Sequence, residues 1–532
     1  MPCGSSSSEP EIRDGPRFFP GGNGVRPHFV HFVVKLRGAD ILARALAAAG
    51  TRHVFALSGN HVMPVFDAAL EAGLSLVHVR HEAAAVHMAD AWGRLTGEPG
   101  VALVTGGPGH ANAVSALYTA LASESPLVLI SGHAPLDELG KGAFQEMRQA
   151  EVAAPLAKAS WTAQSAEALA GDIVRAWREA RSGTPGPVHL SVPNDVLDAV
   201  VDCAVPPSSD FELHEPAVDT RGLLDALASA KHPLIIAGPA AMRKGTGRLE
   251  EAIGVPVIGM QSPRGMSDPS LGRIAEVLKK ADVVVLAGKR LDFSLSFGRA
   301  LAPGCRVIEA GTEMMDVLPI KEPGSKAWLD EARAALRYRP PEWQHAKSAD
   351  GGPVHPLELC RAAQKLLDAP DAVLVCDGGE FGQWAQATLS APRRLINGPA
   401  GAIGAALPFA AAAKLAFPRA PVLAVLGDGT FGFHMAEIDT AVRCGLNYVA
   451  VIGNDATWNA EYQIQLRAYG AERARGCELL PTRYGAVAAA MGAHGEDVLR
   501  VEELEPALKR ATQAGRPACV NVMIERLAAP KY

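Results

Sequence analysis

At 532 residues, with 48% hydrophobic and 20% charged side chains, the chain is too long for one core and suits a well-buried protein of about two to four domains. A net charge of −6 and a pI near 6.3 argue against a nucleic-acid footprint. No uninterrupted apolar run reaches the roughly eighteen residues of a membrane helix, and eight scattered cysteines without a CxxC pair point to buried thiols in a reducing cytoplasm, not to zinc.

Residues 1–29 are rich in Ser, Gly and Pro and lack an apolar stretch after a basic start, which predicts a flexible extension and not a secretory signal. From there the pattern alternates helix and strand. A helix is expected over Gly38–Ala49, then a strand Val54–Leu57 ending in Ser58-Gly59-Asn60-His61. Further strands are expected at Leu76–Val79, closed by Arg80-His81-Glu82, at Val101–Thr105, closed by Gly106-Gly107-Pro108-Gly109, and at Leu127–Ser131. These four strands make one unit, residues 30–200. The middle, 201–340, opens on Pro206-Pro207 and carries strands Leu234–Ala237 and Val283–Leu286. After Arg339-Pro340-Pro341-Glu342 the same grammar returns over 341–532, with strands at Val373–Cys376, Leu395-Ile396, Val422–Leu426, Val449–Ile452 and Cys519–Ile524. The expected fold class is α/β, with three doubly wound, Rossmann-like parallel-sheet domains.

The most informative stretch is Pro421–Gln465. An apolar strand breaks at Gly427-Asp428-Gly429, a helix follows with Phe433, Ile438 and Val442 as its larger apolar residues, and a second strand stops at Gly453-Asn454-Asp455. Two acidic residues then sit at the carboxyl ends of two strands, the edge where open α/β sheets bind ligands. Facing carboxylates repel unless a cation lies between them, and hard cations such as Mg²⁺ share oxygen ligands with phosphates. Gly429 and Thr430 open the helix, so their N–H groups can reach an anion. The pattern predicts a metal–diphosphate site; the plainer reading is a strand-to-helix turn.

With Asp428 and the Asn454-Asp455 pair in that order, the stretch resembles the metal motif of thiamine-diphosphate enzymes. Arg80–Val114, Leu139–Met147, Gly183–Val196 and Asn397–Pro418 are similar, in the same order, to segments of the acetolactate-synthase-like superfamily, which includes benzaldehyde lyase, 2-hydroxyacyl-CoA lyase and oxalyl-CoA decarboxylase. The resemblance implies a pyrimidine-binding, a middle and a diphosphate-binding domain. It implies Mg²⁺ held by Asp428, Asp455 and the carbonyl of Thr457, with Asp455 standing where the family usually has Asn. Gly379, Glu380, Gly401, Ile403, Gly427, Asp428, Gly429, Thr430 and Asp455 would contact the cofactor, Ile403 as the wedge that bends it.

Glu82 matches the glutamate that hydrogen-bonds the aminopyrimidine; the structural alternative is a carboxylate capping a helix. His61, Gln145 and Glu461 match substrate-side positions, where a neutral His or Glu can relay protons and Gln145 aligns with a glutamine that faces the reacting carbon; Trp458 and His110 are further lining candidates. In the middle domain, Leu286–Phe293 resembles the turn beside a nucleotide, so FAD, ADP or the CoA nucleotide comes into view. The implied activity joins or splits a carbon–carbon bond next to a carbonyl, on a keto acid, aldehyde or acyl-CoA. Decarboxylation with carboligation stands first, lyase chemistry second, and a catalytically idle assembly subunit is the rival from another class. Because Glu82 and the metal motif lie on different domains, the resemblance also implies a homo-oligomer, at least a dimer and by extension a tetramer.

Overall fold

The computed structural model describes residues 34–213, 220–316 and 325–530. The expected N-terminal extension lies outside them. The first unit runs through β1 (Val34–Arg37), β2 (His53–Ala56), β3 (Ser75–His78), β4 (Gly100–Val104), β5 (Leu127–His133), β6 (Ala159–Thr162), β7 (Pro187–Pro193) and β8 (Val200–Cys203). Its main sheet is parallel, in the order β3-β2-β4-β5-β7-β6, and β1 and β8 form a separate antiparallel pair.

The middle unit has four parallel strands, β9 (Pro233–Ala237), β10 (Val257–Gly259), β11 (Val283–Ala287) and β12 (Arg306–Ala310), in the order β10-β9-β11-β12. The last unit contains β13 (Val373–Cys376), β14 (Arg393–Ile396), β15 (Val422–Gly427), β16 (Val449–Asn454), β17 (His494–Val498) and β18 (Ala518–Met523). They form a second six-stranded parallel sheet, β14-β13-β15-β16-β18-β17. The central strands are buried along their length because helices cover both faces, which is why they read as unbroken Val/Ile/Leu runs.

The strands absent from the sequence reading fail that test. β7 is interrupted by His189, Ser191 and two prolines although it is fully buried, and the edge strands β6, β12 and β17 are short and polar. A second departure lies after the Gly-Asp-Gly turn. The single helix expected there is two, Asp428–His434 and Glu437–Arg443. Within the first of these, Phe431 and Phe433 point to different sides, so Phe431 enters the core while Phe433 is 55% exposed.

The first and last units share one core. Helix Glu82–Thr96 packs on helix Ala406–Ala416, and Val86, Met88, Phe409 and Ala410 belong to a single apolar cluster. A buried pair, Arg94 on Asp90 at 2.6 Å, fixes the seam, and Arg94 Nη1 also donates to the Ile396 carbonyl at 2.7 Å. Both charges are hydrogen-bonded, which is the condition for tolerating them in the interior. Among the described residues no helix is long and apolar enough to cross a membrane.

Candidate functional site

In the last sheet the chain goes from β13 outward to β14 and then returns to the other side of β13 as β15. That reversal opens a crevice at the carboxyl ends of β13 and β15, where such sheets bind ligands. A cavity lies there, with Gly379, Glu380, Ile403, Gly427, Asp428, Gly429, Thr430, Asp455, Thr457, Trp458 and Glu461 in its wall. The register aligns Gly427 with Gly453, which brings Asp428 and Asp455 to the same edge.

The two carboxylates are held in different ways. Asp428 is buried, and its Oδ2 has no hydrogen-bond partner. Burial, against opposing backbone N–H groups including those of Gly429 and Thr457, pushes its pKa up to about 6. Asp455 is pushed up to about 7, first by burial and then by Asp428, although Asn459 Nδ2 donates to it at 2.7 Å. Between Asp455 and Thr457, Ala456 adopts φ +51°, a strained conformation for an L residue, held by an Asn454 Oδ1 contact to its N–H at 3.1 Å. An orphaned carboxylate oxygen beside a second, reluctant carboxylate fits a hard divalent cation, which would relieve the repulsion and satisfy the oxygen.

The surrounding residues are shaped for close approach. A Cβ on Gly429 would lie 2.6 Å from the Trp458 ring, so only glycine lets the helix start beneath the indole. Ile403 stays half-exposed in the cavity wall and does not join the core. Its loop is pinned by Asp377, whose buried carboxylate accepts from the N–H groups of Gly378, Gly404 and Ala406 at 2.7–3.1 Å. Sequence reading missed Asp377; the signal was an acidic residue directly after a buried strand. Glu380, in the cavity wall, accepts from Ala529 N at 3.0 Å and has Arg264 Nη2 at 3.8 Å. Glu461 lies exposed in the first turn of helix Asn459–Tyr469.

The first sheet repeats the topology, and its reversal lies between β2 and β4. His61, from the turn after β2, meets Thr105, from the end of β4, at 3.3 Å, and burial lowers its pKa. Glu82, after β3, opens helix Glu82–Thr96, but the cap is His81, which accepts from Ala83 N. The Glu82 carboxylate is instead free of that task and accepts from Asn112 Nδ2 at 3.1 Å. Gln145, at φ +58°, packs against Gly107. Thus Glu82, His61 and Gln145 gather at one edge and the metal-motif residues at another; none of the three lines the cavity of the last sheet. His110, expected to line a pocket, is fully buried with Nδ1 2.8 Å from Ser131 Oγ.

The middle sheet was the expected place for FAD, ADP or the CoA nucleotide. Its crevice lies between β9 and β11, where a Cβ on Gly238 would fall 2.0 Å from the Gly288 carbonyl oxygen. Pro239 brings no N–H, Ala240 N is taken by Glu124 of the first unit at 2.7 Å, and Lys289 Nζ is engaged by Asp292 at 2.8 Å. At this turn those donors are engaged within the chain.

Comparison with known proteins agrees with this geometry. Residues 36–152 match the thiamine pyrophosphate enzyme N-terminal TPP binding domain, and residues 377–522 match the corresponding C-terminal TPP binding domain. The chain is 33% identical over 539 residues to a probable acetolactate synthase of Mycobacterium bovis, covering 92% of this chain and 96% of that one. It is 31% identical over 576 residues to 2-hydroxyacyl-CoA lyase 2 of Danio rerio, covering 92% and 91%. A catabolic acetolactate synthase of Raoultella terrigena is 30% identical over 533 residues, covering 92% and 95%. The chain belongs to the acetolactate-synthase-like family of thiamine-diphosphate-dependent enzymes.

Proposed function

We propose that the protein is a thiamine-diphosphate- and Mg²⁺-dependent carboligase that decarboxylates a 2-keto acid and joins the remaining acyl unit to an aldehyde or ketone. The observation that carries this reading is the desolvated pair Asp428–Asp455, with one unpartnered oxygen, at the reversal point of the last sheet. Bound thiamine diphosphate would supply the nucleophilic carbon and the electron sink. The chain's own residues would do the rest. Asp428, Asp455 and the Thr457 carbonyl hold the metal, and the backbone of Gly379, Gly427, Gly429 and Thr430 faces the diphosphate. Ile403 would support the cofactor from the cavity wall, beside Gly401 and Gly404, which take positive φ. Glu82 binds the pyrimidine ring and handles its proton, while His61 and Glu461 move protons at the reacting carbon and Gln145 faces that carbon as a hydrogen-bonding group.

In this reading residues 30–200, 201–340 and 341–532 are the pyrimidine-binding, middle and diphosphate-binding domains. One chain carries the two half-sites at separate edges, which supports completion between two copies: a homodimer as the minimum and a tetramer as its pair. The seven described cysteines are all free, in keeping with a reducing compartment such as the cytoplasm.

A second reading, 2-hydroxyacyl-CoA lyase, rests on the similarity to the lyase of Danio rerio over nearly the same span. The test is incubation of purified protein with thiamine diphosphate, Mg²⁺ and pyruvate, with CO₂ and products followed by mass spectrometry. Acetolactate is the expected product. No turnover with cofactor bound, followed by cleavage of a 2-hydroxyacyl-CoA, would replace the first reading by the second. Inertness toward both would favour the idle assembly subunit.

A further inference from the structure

Gln149 lies at the start of helix Gln149–Ala153 and is 1% exposed, an uncommon place for an amide side chain. Its hydrogen bonds show what it holds. Oε1 accepts from Gly107 N at 2.7 Å, and Nε2 donates to the Gly132 carbonyl at 3.0 Å and to Ser191 Oγ at 2.9 Å. An N–H must face oxygen and a carbonyl must face N–H, so chemistry fixes the orientation of the amide. The two glycines are the beds of two substrate-side residues. A Cβ on Gly107 would meet Gln145 O and Cβ at 2.6 and 2.8 Å, and a Cβ on Gly132 would meet His61 Cβ at 2.6 Å. One buried amide therefore spans the backbone under Gln145 and the backbone under His61, anchored to β7 through Ser191.

We infer that Gln149 is a positioning residue of the reaction centre: it sets the spacing between His61 and Gln145 without touching substrate. This rests on the proposed substrate-side roles of those two residues. The bracket has a physical reason to be an amide. An aliphatic side chain would leave Gly107 N and Gly132 O buried and unpartnered, and the turn would shift to find other partners. A displacement of about 1 Å at reacting groups costs on the order of a hundredfold in rate.

The experiment uses the full-length protein loaded with thiamine diphosphate and Mg²⁺. Gln149→Leu is compared with Gln149→Glu, His61→Ala and Gln145→Ala by hydrogen exchange and by turnover of pyruvate or a 2-hydroxyacyl-CoA. In Gln149→Leu, exchange should rise in peptides spanning 103–112 and 143–148, kcat/KM should fall about ten- to a hundredfold, and the cofactor-induced rise in Tm should remain. Gln149→Glu keeps the acceptor for Gly107 but sets a carboxylate against the Gly132 carbonyl. Its kcat/KM relative to wild type should therefore recover as pH falls and the carboxyl regains a donor, a response that lost packing alone would not give. If Gln149→Leu does not fold, this pH response of Gln149→Glu decides alone. Unchanged exchange in both segments, or a Gln149→Glu profile parallel to wild type, overturns the bracket. If His61→Ala and Gln145→Ala leave turnover intact, the substrate-side reading is what fails, and the exchange data still decide whether Gln149 fixes the turn.

Discussion

The first and last sheets have the same strand order and the same reversal point, yet their carboxyl edges carry different chemistry. At the last sheet, two strands end in carboxylates and glycines, which places two desolvated carboxyl groups, one with an unpartnered oxygen, in the wall of a cavity. At the first, strands end in His61, Thr105 and a Gly-Gly turn, with Glu82 alone supplying a carboxylate near them. Topology locates both edges; the few residues after each strand decide what they hold. In the proposed reading, the last edge takes metal and diphosphate, and the first places protons around an aromatic ring and a carbonyl.

That contrast can be broken most severely at Asp428. Asp428→Ala should abolish the rise in Tm that thiamine diphosphate and Mg²⁺ give together, a term worth about 2.7 kcal/mol at a hundredfold excess over Kd. Scanning fluorimetry with and without both ligands checks it, and a retained shift would remove the metal assignment. Glu82→Gln should act in the opposite sense, keeping the ligand-induced Tm rise while turnover falls on the order of 10²- to 10⁴-fold. Deuterium exchange into the cofactor's C2 position provides an independent readout. Gly429→Ala should have a smaller effect. The new methyl lies 2.6 Å from the Trp458 ring, and relief of about 1–3 kcal/mol of overpacking should weaken cofactor binding about tenfold while leaving the apoprotein folded. Isothermal titration measures this directly.

The sequence shows the last edge more clearly than the first for a physical reason. Asp428 and Asp455 follow unbroken buried strands, so both their type and their place can be read from one short segment. The first edge is assembled from turns far apart in the chain, and Gln149 matters only because folding sets it between Gly107 and Gly132. Nothing local marks it. Asp377 is intermediate: its strand was legible, but its task of holding Gly404 and Ala406 depends on a loop that returns to it. The single helix expected around Phe433, Ile438 and Val442 is two helices. Periodicity cannot reveal a break that tertiary packing imposes.

The smallest expected effect concerns pH and the last edge alone. In the unfolded chain Asp428 and Asp455 ionise near the ordinary carboxylate range, whereas in the folded apoprotein they hold protons to about 6 and about 7. Across that interval the folded state binds more protons than the unfolded one, so stability falls as pH rises. The contribution is fully present below about pH 4 and is lost as pH passes through about 7, with the two groups titrating as a coupled pair. Buried His87 and His434, whose pKa values are lowered by burial, act in the opposite direction: the stability tied to their neutral forms is lost as pH falls through and below the ordinary histidine range. The wild-type curve alone therefore mixes two trends. The difference between wild type and Asp455→Asn isolates the carboxylate pair, because the substitution removes the repulsion and leaves the histidines in place. The apoprotein of Asp455→Asn should gain Tm relative to wild type between pH 5 and pH 8, by about 1 °C for each kcal/mol of relieved repulsion. Mg²⁺ with thiamine diphosphate should shrink that advantage, since the cation already separates the charges. A difference that is flat with pH, in the absence of ligands, would mean that the two carboxylates do not face each other.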